Sequence, residues 1–268
     1  MNADRTGMRI AILADIHGNT AALDAVLGDL RRQGGADSYL VLGDVAATGY
    51  DPVGAIERLV ALSEVRFVIG NADRYALTGE QSMRAPTLET ARGDSILLAR
   101  LLQTARSFAW TAGALAAGGR LDWLAGLPLE QRLVLPDSTR VLTVHASPGL
   151  DDGAGIPPSI SDDELAELLA GCEAELVCVG HTHRALDRSV GGVRVVNPGS
   201  VGLPLDGDLR AAYAVLEAGG AGYRIEHRRV EYNRERVISE LRRVCHPGAD
   251  FIAGLLLGRR QEDKRAPA

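Results

Sequence analysis

The chain has 268 residues, 46% of them hydrophobic and 24% charged, with a formal net charge of −6. That composition lies in the ordinary globular range, and no apolar run reaches the roughly 18 residues that a membrane-spanning helix needs. The acidic balance argues against broad nucleic-acid binding, which requires a basic footprint, so an anionic substrate would have to be drawn in locally by a metal or a few arginines.

In chain order, Met8 to Leu13 (MRIAIL) reads as a short buried strand followed by ADIHGN, and then an amphipathic helix from about Thr20 to Gln33 with Asn19 as N-cap. The pattern repeats. YLVLGD is a strand ending in Gly-Asp, Pro52 to Leu62 is a helix with proline in its first turn, and VRFVIGNAD is a strand ending in Gly-Asn. Strand, loop and helix in succession imply an α/β fold with a largely parallel sheet and helical crossovers.

From about Ala85 to Leu127 the sequence turns Ala- and Leu-rich, a helical insert that reads either as an extra packing layer or as a lid in which Trp110 and Trp123 stack a nucleobase. QRLVLPDSTRVLTVHASP reads as a hairpin turning at Pro136 to Thr139, and SDDELAELLAG as a helix with a Ser161/Glu164 capping box. A strand at Leu176 to Val179, a hairpin at Gly191-Gly192 and further strands follow. A C-terminal helix and tail run from about Asn233 to Ala268, with a frayed charged end, in what is expected to be one domain over 1–268. The apolar FIAGLLLG is suited to dock on the core or on a second subunit, as in a homo-oligomer. Asp151-Asp152 is read as a solvated loop. Cys172, Cys178 and Cys245 have neither metal nor redox spacing, and with no secretory h-region at the start they are expected to be buried free thiols in the cytoplasm.

Five apolar strands end in polar clusters, which supply Asp15 and His17, Asp44, Asn71, His145, and His181 with His183. Carboxyl ends of strands border the ligand crevice of an α/β sheet, so these seven side chains can converge. Asp15 with His17, and His181 with His183, would each form a clip, because residues i and i+2 of an extended stretch project to one side. Imidazole and carboxylate suit divalent transition metals, and seven ligands are too many for one tetrahedral ion, so two ions are implied. Two dications repel strongly and need an anion between them, for which Asp44 is the candidate, with Gly43 letting the backbone approach. The neutral amide of Asn71 would leave its ion more electrophilic, as suits a Lewis acid.

The order D-x-H, G-D, G-N, an isolated His and G-H-x-H, from about Ile10 to Leu203, resembles the calcineurin-like metallophosphoesterase superfamily, and DIHGNTAALDAVL, GDVAATGYDP and NPGSVGLP resemble its small bacterial and archaeal phosphodiesterase-like branch. The resemblance implies a four-layer α/β/β/α sandwich of two mixed sheets. It also implies a binuclear centre with Asp15, His17 and His183 on one metal, Asn71, His145 and His181 on the other, and Asp44 bridging. The family's G-N-H-D motif stands here as Gly70-Asn71-Ala72-Asp73, so the histidine that assists the leaving group is missing and Asp73 is left to hold Arg74 or a water. Arg74 would contact a phosphate oxygen or remain a surface arginine, and Asn197 would serve the substrate side by buttressing its loop. His227 and His246 belong to no motif.

The expected activity is hydrolysis of a small phosphoester or nucleotide-type diester by hydroxide bound to both metals, Mn²⁺ first among candidates that include Fe, Zn²⁺ and Ni²⁺. A monoester or protein phosphatase on the same site, and a non-catalytic metal-binding scaffold, are the alternatives.

Overall fold

Residues 7–82 and 87–259 are described in a computed structural model. The first apolar run forms β1 (Met8–Leu13), and its side chains divide between two cores, Ile10 and Ile12 on one face and Ala11 and Leu13 on the other. A strand apolar on both faces has to lie inside a stack of layers. α1 (Thr20–Arg32) begins at Asn19, whose side chain accepts from the Ala22 amide at 3.1 Å. β2 (Ser38–Val41), α2 (Pro52–Val60) and β3 (Val65–Phe67) complete a parallel β-α-β-α-β run. The strand expected to continue to Gly-Asn stops at Phe67, and Asn71 instead opens a short helix, α3 (Asn71–Thr78).

The helical insert is α4 (Ser95–Ala117) and α5 (Leu121–Ala125); its expected start at Ala85 lies outside the described residues. Leu115 and Leu124 are fully buried in the core that α1 and α2 share with the first sheet, so this end of the insert is a packing layer. Trp123 stands edge-on to Phe67, and Trp110 edge-on to His246. Both rings therefore have protein partners already.

β4 (Glu130–Val134) and β5 (Arg140–Val144) form the expected hairpin. α6 (Asp162–Leu169) opens with the Ser161/Glu164 capping box and leads to β6 (Leu176–Cys178). β7 (Leu186–Val190) and β8 (Val193–Asn197) pair around Gly191 and Gly192. β9 (Ala211–Gly219) and β10 (Gly222–Val230) return to the first sheet, and α7 (Arg234–Arg243), capped by Asn233, and α8 (Ala249–Leu256) follow. Of the charged end, only Gly258 and Arg259 fall within the described residues.

The strands make two mixed five-stranded sheets, β10-β9-β1-β2-β3 and β4-β5-β6-β8-β7. Ile12, Leu40, Val141, Leu176 and Leu216 fill the space between them; α1 and α2 cover the outer face of the first sheet, and Leu165 and Leu169 of α6 cover that of the second. The result is an α/β/β/α sandwich. Ile252, Ala253 and Leu256 of α8 are buried, the first and last against Tyr50, Val237 and Leu241, which docks the apolar terminal stretch on this chain, while Phe251 and Leu257 remain exposed. Cys172 and Cys178 are buried thiols, but Cys245 is exposed because it follows the cap of α7 at a positive φ. No helix among the described residues is long and apolar enough to cross a membrane.

Candidate metal centre

The carboxyl ends of β1, β2, β5 and β6 meet at one edge of the sandwich, where His145 beyond β5 donates from Nδ1 across to the Leu42 carbonyl beyond β2 at 2.6 Å. Asp15, His17, Asp44 and His183 offer ligand atoms that all lie within 4.8 Å of one another. Beside them, the Asn71 Oδ1 lies 3.0 Å from His145 Nε2 and 2.8 Å from His181 Nδ1. The fold thus brings all seven strand-end side chains together, in two adjoining groups.

Asp44 stands between those groups. Its Oδ1 accepts from the Ala72 amide at 2.8 Å, and its Oδ2 lies 3.6 Å from His17 Nε2 and 3.5 Å from His145 Nε2. Gly43 makes this possible, since it has φ +84 and a Cβ there would come within 2.7 Å of Gly70 Cα and of the His145 ring. Gly180 acts by space rather than by a turn: it has no left-handed φ, and a Cβ on it would sit 3.0 Å from both Ala14 Cβ and Asp15 Oδ2.

The two clips do not arise from extended alternation. Asp15, His17, Asp44, His181 and His183 all have φ between 50° and 67°, the left-handed region that costs a non-glycine residue about 1–3 kcal/mol. Loop-to-loop backbone bonds hold them there, such as His17 N–H to the Asp44 carbonyl at 2.8 Å and Gly202 N–H to the Asp15 carbonyl at 3.0 Å. Such clustered strain belongs to a preorganised site.

Every one of the four imidazoles has a backbone carbonyl on its outer nitrogen: Ala47 for His17 (2.8 Å), Leu42 for His145 (2.6 Å), Gly153 for His181 (3.1 Å) and Leu203 for His183 (2.5 Å). A carbonyl only accepts, so each outer nitrogen carries a hydrogen, and each inner nitrogen faces the centre, where it offers a lone pair once the ring is neutral. The inner nitrogens of His17 and His183 face each other at 3.1 Å, and those of His145 and His181 face the Asn71 oxygen. Burial lowers both His17 and His183, and two neutral rings with their outer nitrogens protonated have no hydrogen to share across that contact. Asp15 Oδ2 is fully buried with no hydrogen-bond partner among the described residues, a costly orphan for a carboxylate. The donor set therefore fits cations, with the outer carbonyls fixing the imidazole tautomers as metal sites require.

Electrostatics agree. Burial pushes the Asp15 carboxyl up to about 6 and the His183 imidazole down to about 4. Burial alone would raise Asp44, but the His145, His17 and His181 rings outweigh it and hold its carboxyl far below the usual range. Burial would lower His145, but Asp44 and Asp15 outweigh it and raise that imidazole to about 10. A cation can take the place of that proton.

The remaining site candidates, Asp73, Arg74 and Asn197, surround the seven. Asp73 does not hold Arg74: it is fully buried and accepts from the Val45 and Ala46 amides, each at 2.9 Å, which ties α3 to the Asp44 loop. Arg74 forks onto Asp151 at 2.6 and 3.0 Å and also pairs with Glu80, so its guanidinium is already engaged by carboxylates. Asp151 and Asp152 are correspondingly buried rather than solvated. Asn197 is fully buried, donating to the Gly180 carbonyl at 2.6 Å and to Thr182, so it braces the His181 loop without reaching a substrate. His227 donates to the Asn197 carbonyl, and His246 lies buried between α4 and α8.

Two further braces were not singled out in the sequence. Tyr75 donates to Asp152, whose neighbour Gly153 holds His181, and Ser200 links the Asp15 carbonyl at 2.8 Å to the Leu203 amide at 2.7 Å. Ser200 closes the NPGS motif, which carried the signal for the second.

A family model described as the calcineurin-like phosphoesterase superfamily domain matches residues 8–220. An uncharacterized protein of Methanocaldococcus jannaschii is 27% identical over 250 residues, 87% of this chain and 91% of its own length. The crystal structure of a metallophosphoesterase from Sphaerobacter thermophilus superposes with a TM-score of 0.69 at 27% identity, covering 94% of this chain and 99% of the other. A hypothetical protein from Pyrococcus horikoshii superposes with a TM-score of 0.75 over 93% and 97% of the two chains; at 20% identity it speaks for the fold alone. The chain belongs to the calcineurin-like phosphoesterase superfamily.

Proposed function

We propose that the protein is a metal-dependent phosphodiesterase that works with two divalent cations, Mn²⁺ foremost. Asp15, His17 and His183 would hold one, Asn71, His145 and His181 the other, and Asp44 would serve both. The observation that carries this reading is the inward set of four imidazole nitrogens, each ring fixed by a carbonyl on the opposite nitrogen, around the orphaned Asp15 oxygen. Imidazole, carboxylate and amide oxygen suit Mn²⁺, Fe, Zn²⁺ or Ni²⁺.

When bound, such cations acidify a water and neutralise phosphate charge. The chain's residues set the terms. The neutral Asn71 oxygen leaves its side of the centre more electron-poor than the Asp15 side. With Arg74 locked onto Asp151, the guanidinium is not available to a phosphate, so phosphate charge falls to the metal centre itself. With a methyl group at Ala72, no side chain there can protonate a departing oxygen, and general-acid help is worth about 10²–10⁴-fold. Weakly basic leaving groups, such as aryl oxides or a phosphate of a polyphosphate chain, suit this site best.

The test is hydrolysis of bis(p-nitrophenyl) phosphate against p-nitrophenyl phosphate by Mn²⁺-reconstituted protein. A higher kcat/KM for the diester is expected. A monoester preference of about tenfold or more, roughly 1.4 kcal/mol of transition-state stabilisation, would reverse the reading in favour of a phosphatase.

A further inference from the structure

A cavity of about 270 Å³ lies between α4 and α8. Phe108 and Phe251 give it aromatic walls, Arg100, Gln103 and Thr104 bring hydrogen-bonding groups from α4, and Thr48 lines it as well. Thr48 is the link to the metal centre, because its hydroxyl lies 2.9 Å from Nδ1 of His17. The cleft therefore adjoins the catalytic edge.

Its two walls are pinned together. The Gly248 amide donates to His246 Nδ1 at 3.1 Å, which leaves the Nε2 hydrogen of His246 facing the Ser107 hydroxyl of α4 at 3.3 Å. Burial holds this imidazole down to about 4, so it stays neutral and the contact persists at ordinary pH. Trp110 stands edge-on to the same ring, with centroids 4.8 Å apart. A cleft already formed without ligand costs little ordering on binding.

Charge narrows the occupant. In a chain of net charge −6, Arg100 lines this cavity and makes no ion pair among the described residues. An unpaired guanidinium beside aromatic walls suits a ligand that is planar and apolar on its faces and anionic or hydrogen-bonding at its edge.

We infer that the α4/α8 cleft receives a nucleotide-type substituent of the phosphodiester, with its base against Phe108 and Phe251 and Arg100 on its polar edge. This rests on the phosphodiesterase reading above. It makes the insert a specificity wall as well as a packing layer.

Two readouts test it on the Mn²⁺-loaded protein and on its Arg100→Ala and Thr104→Trp variants, both changes at exposed positions of α4. The first is calorimetric titration with adenosine 5′-monophosphate, and the second is the ratio of kcat/KM for thymidine 5′-monophosphate p-nitrophenyl ester to that for methyl p-nitrophenyl phosphate. The wild type is expected to bind the nucleotide, and each variant to weaken binding about tenfold and lower the ratio by a similar factor, chiefly through KM. Arg100-dependent nucleotide binding without turnover of either diester would uphold the cleft while refuting the phosphodiesterase reading. Turnover of both diesters, with binding and ratio unchanged in both variants, would refute the cleft and leave that reading standing. Failure of the wild type to bind the nucleotide, or a stable dimer that buries Phe251, would also overturn it.

Discussion

The backbone N–H of Ala72 donates to Oδ1 of Asp44 at 2.8 Å, so the residue that lacks the family's histidine side chain still fixes the carboxylate at the middle of the site. The Ala72 methyl itself packs with Ala47, Ala76 and Phe108 of α4. The insert fills the space into which a larger side chain would extend.

Ala72→His should accordingly fail to restore a general acid and should instead overpack this contact, at a cost of about 1–3 kcal/mol. Chemical denaturation of the variant checks it, with a lower midpoint expected at unchanged slope. A variant as stable as the wild type and faster on an alkyl diester would show that the pocket is open to the imidazole.

Asp73 supplies two acceptors to two buried amides, Val45 and Ala46, and an asparagine can supply only one acceptor oxygen. Asp73→Asn should lose about 1–3 kcal/mol of stability for the amide left unpaired. Because those amides follow Asp44 directly, metal affinity should fall in the same variant. Calorimetric unfolding and Mn²⁺ titration measure the two effects; loss of affinity with full stability would mean that Asp73 acts on the centre electrostatically rather than through the loop.

Metal uptake should release protons. Without a cation, His145 keeps its proton up to about 10 because Asp44 and Asp15 surround it, and burial holds a proton on Asp15 up to about 6. A ligand must lose its proton to bind, so affinity should rise with pH, by about tenfold per unit for each proton displaced, and between pH 6 and 9 His145 should be the chief source. Titration with Mn²⁺ in buffers of different ionisation enthalpy reads the proton count; zero net release at pH 7 would place the metal away from His145.

The seven clustered side chains were legible because each follows an apolar strand, and strand ends of such sheets converge. The stacking of the layers came from the family resemblance, whereas the strand and helix order alone read as a largely parallel sheet and left the second sheet unannounced. The left-handed backbone at Asp15, His17, Asp44, His181 and His183 was not legible, because it is imposed by bonds such as Leu42 N–H to the Leu13 carbonyl and Gly18 N–H to the Val45 carbonyl, between segments that only the fold brings together. Arg74 looked available for phosphate because its partner Asp151 stands 77 residues away. α3 was hidden for a different reason: it is eight residues long and is capped by Gly70, which has no side chain to announce it.

The most direct measurement is anomalous X-ray diffraction from Mn²⁺-soaked crystals, combined with elemental analysis of the same protein in solution and of Asp44→Asn. Two metal peaks are expected, one among Asp15, His17 and His183 and one among Asn71, His145 and His181, with occupancy of at least one of them and most of the diesterase activity lost in a folded Asp44→Asn. Fewer than about one ion per chain after reconstitution, or ions seated away from these side chains, would contradict the assignment of a binuclear centre, in which the inward imidazole nitrogens and carboxylates share cations.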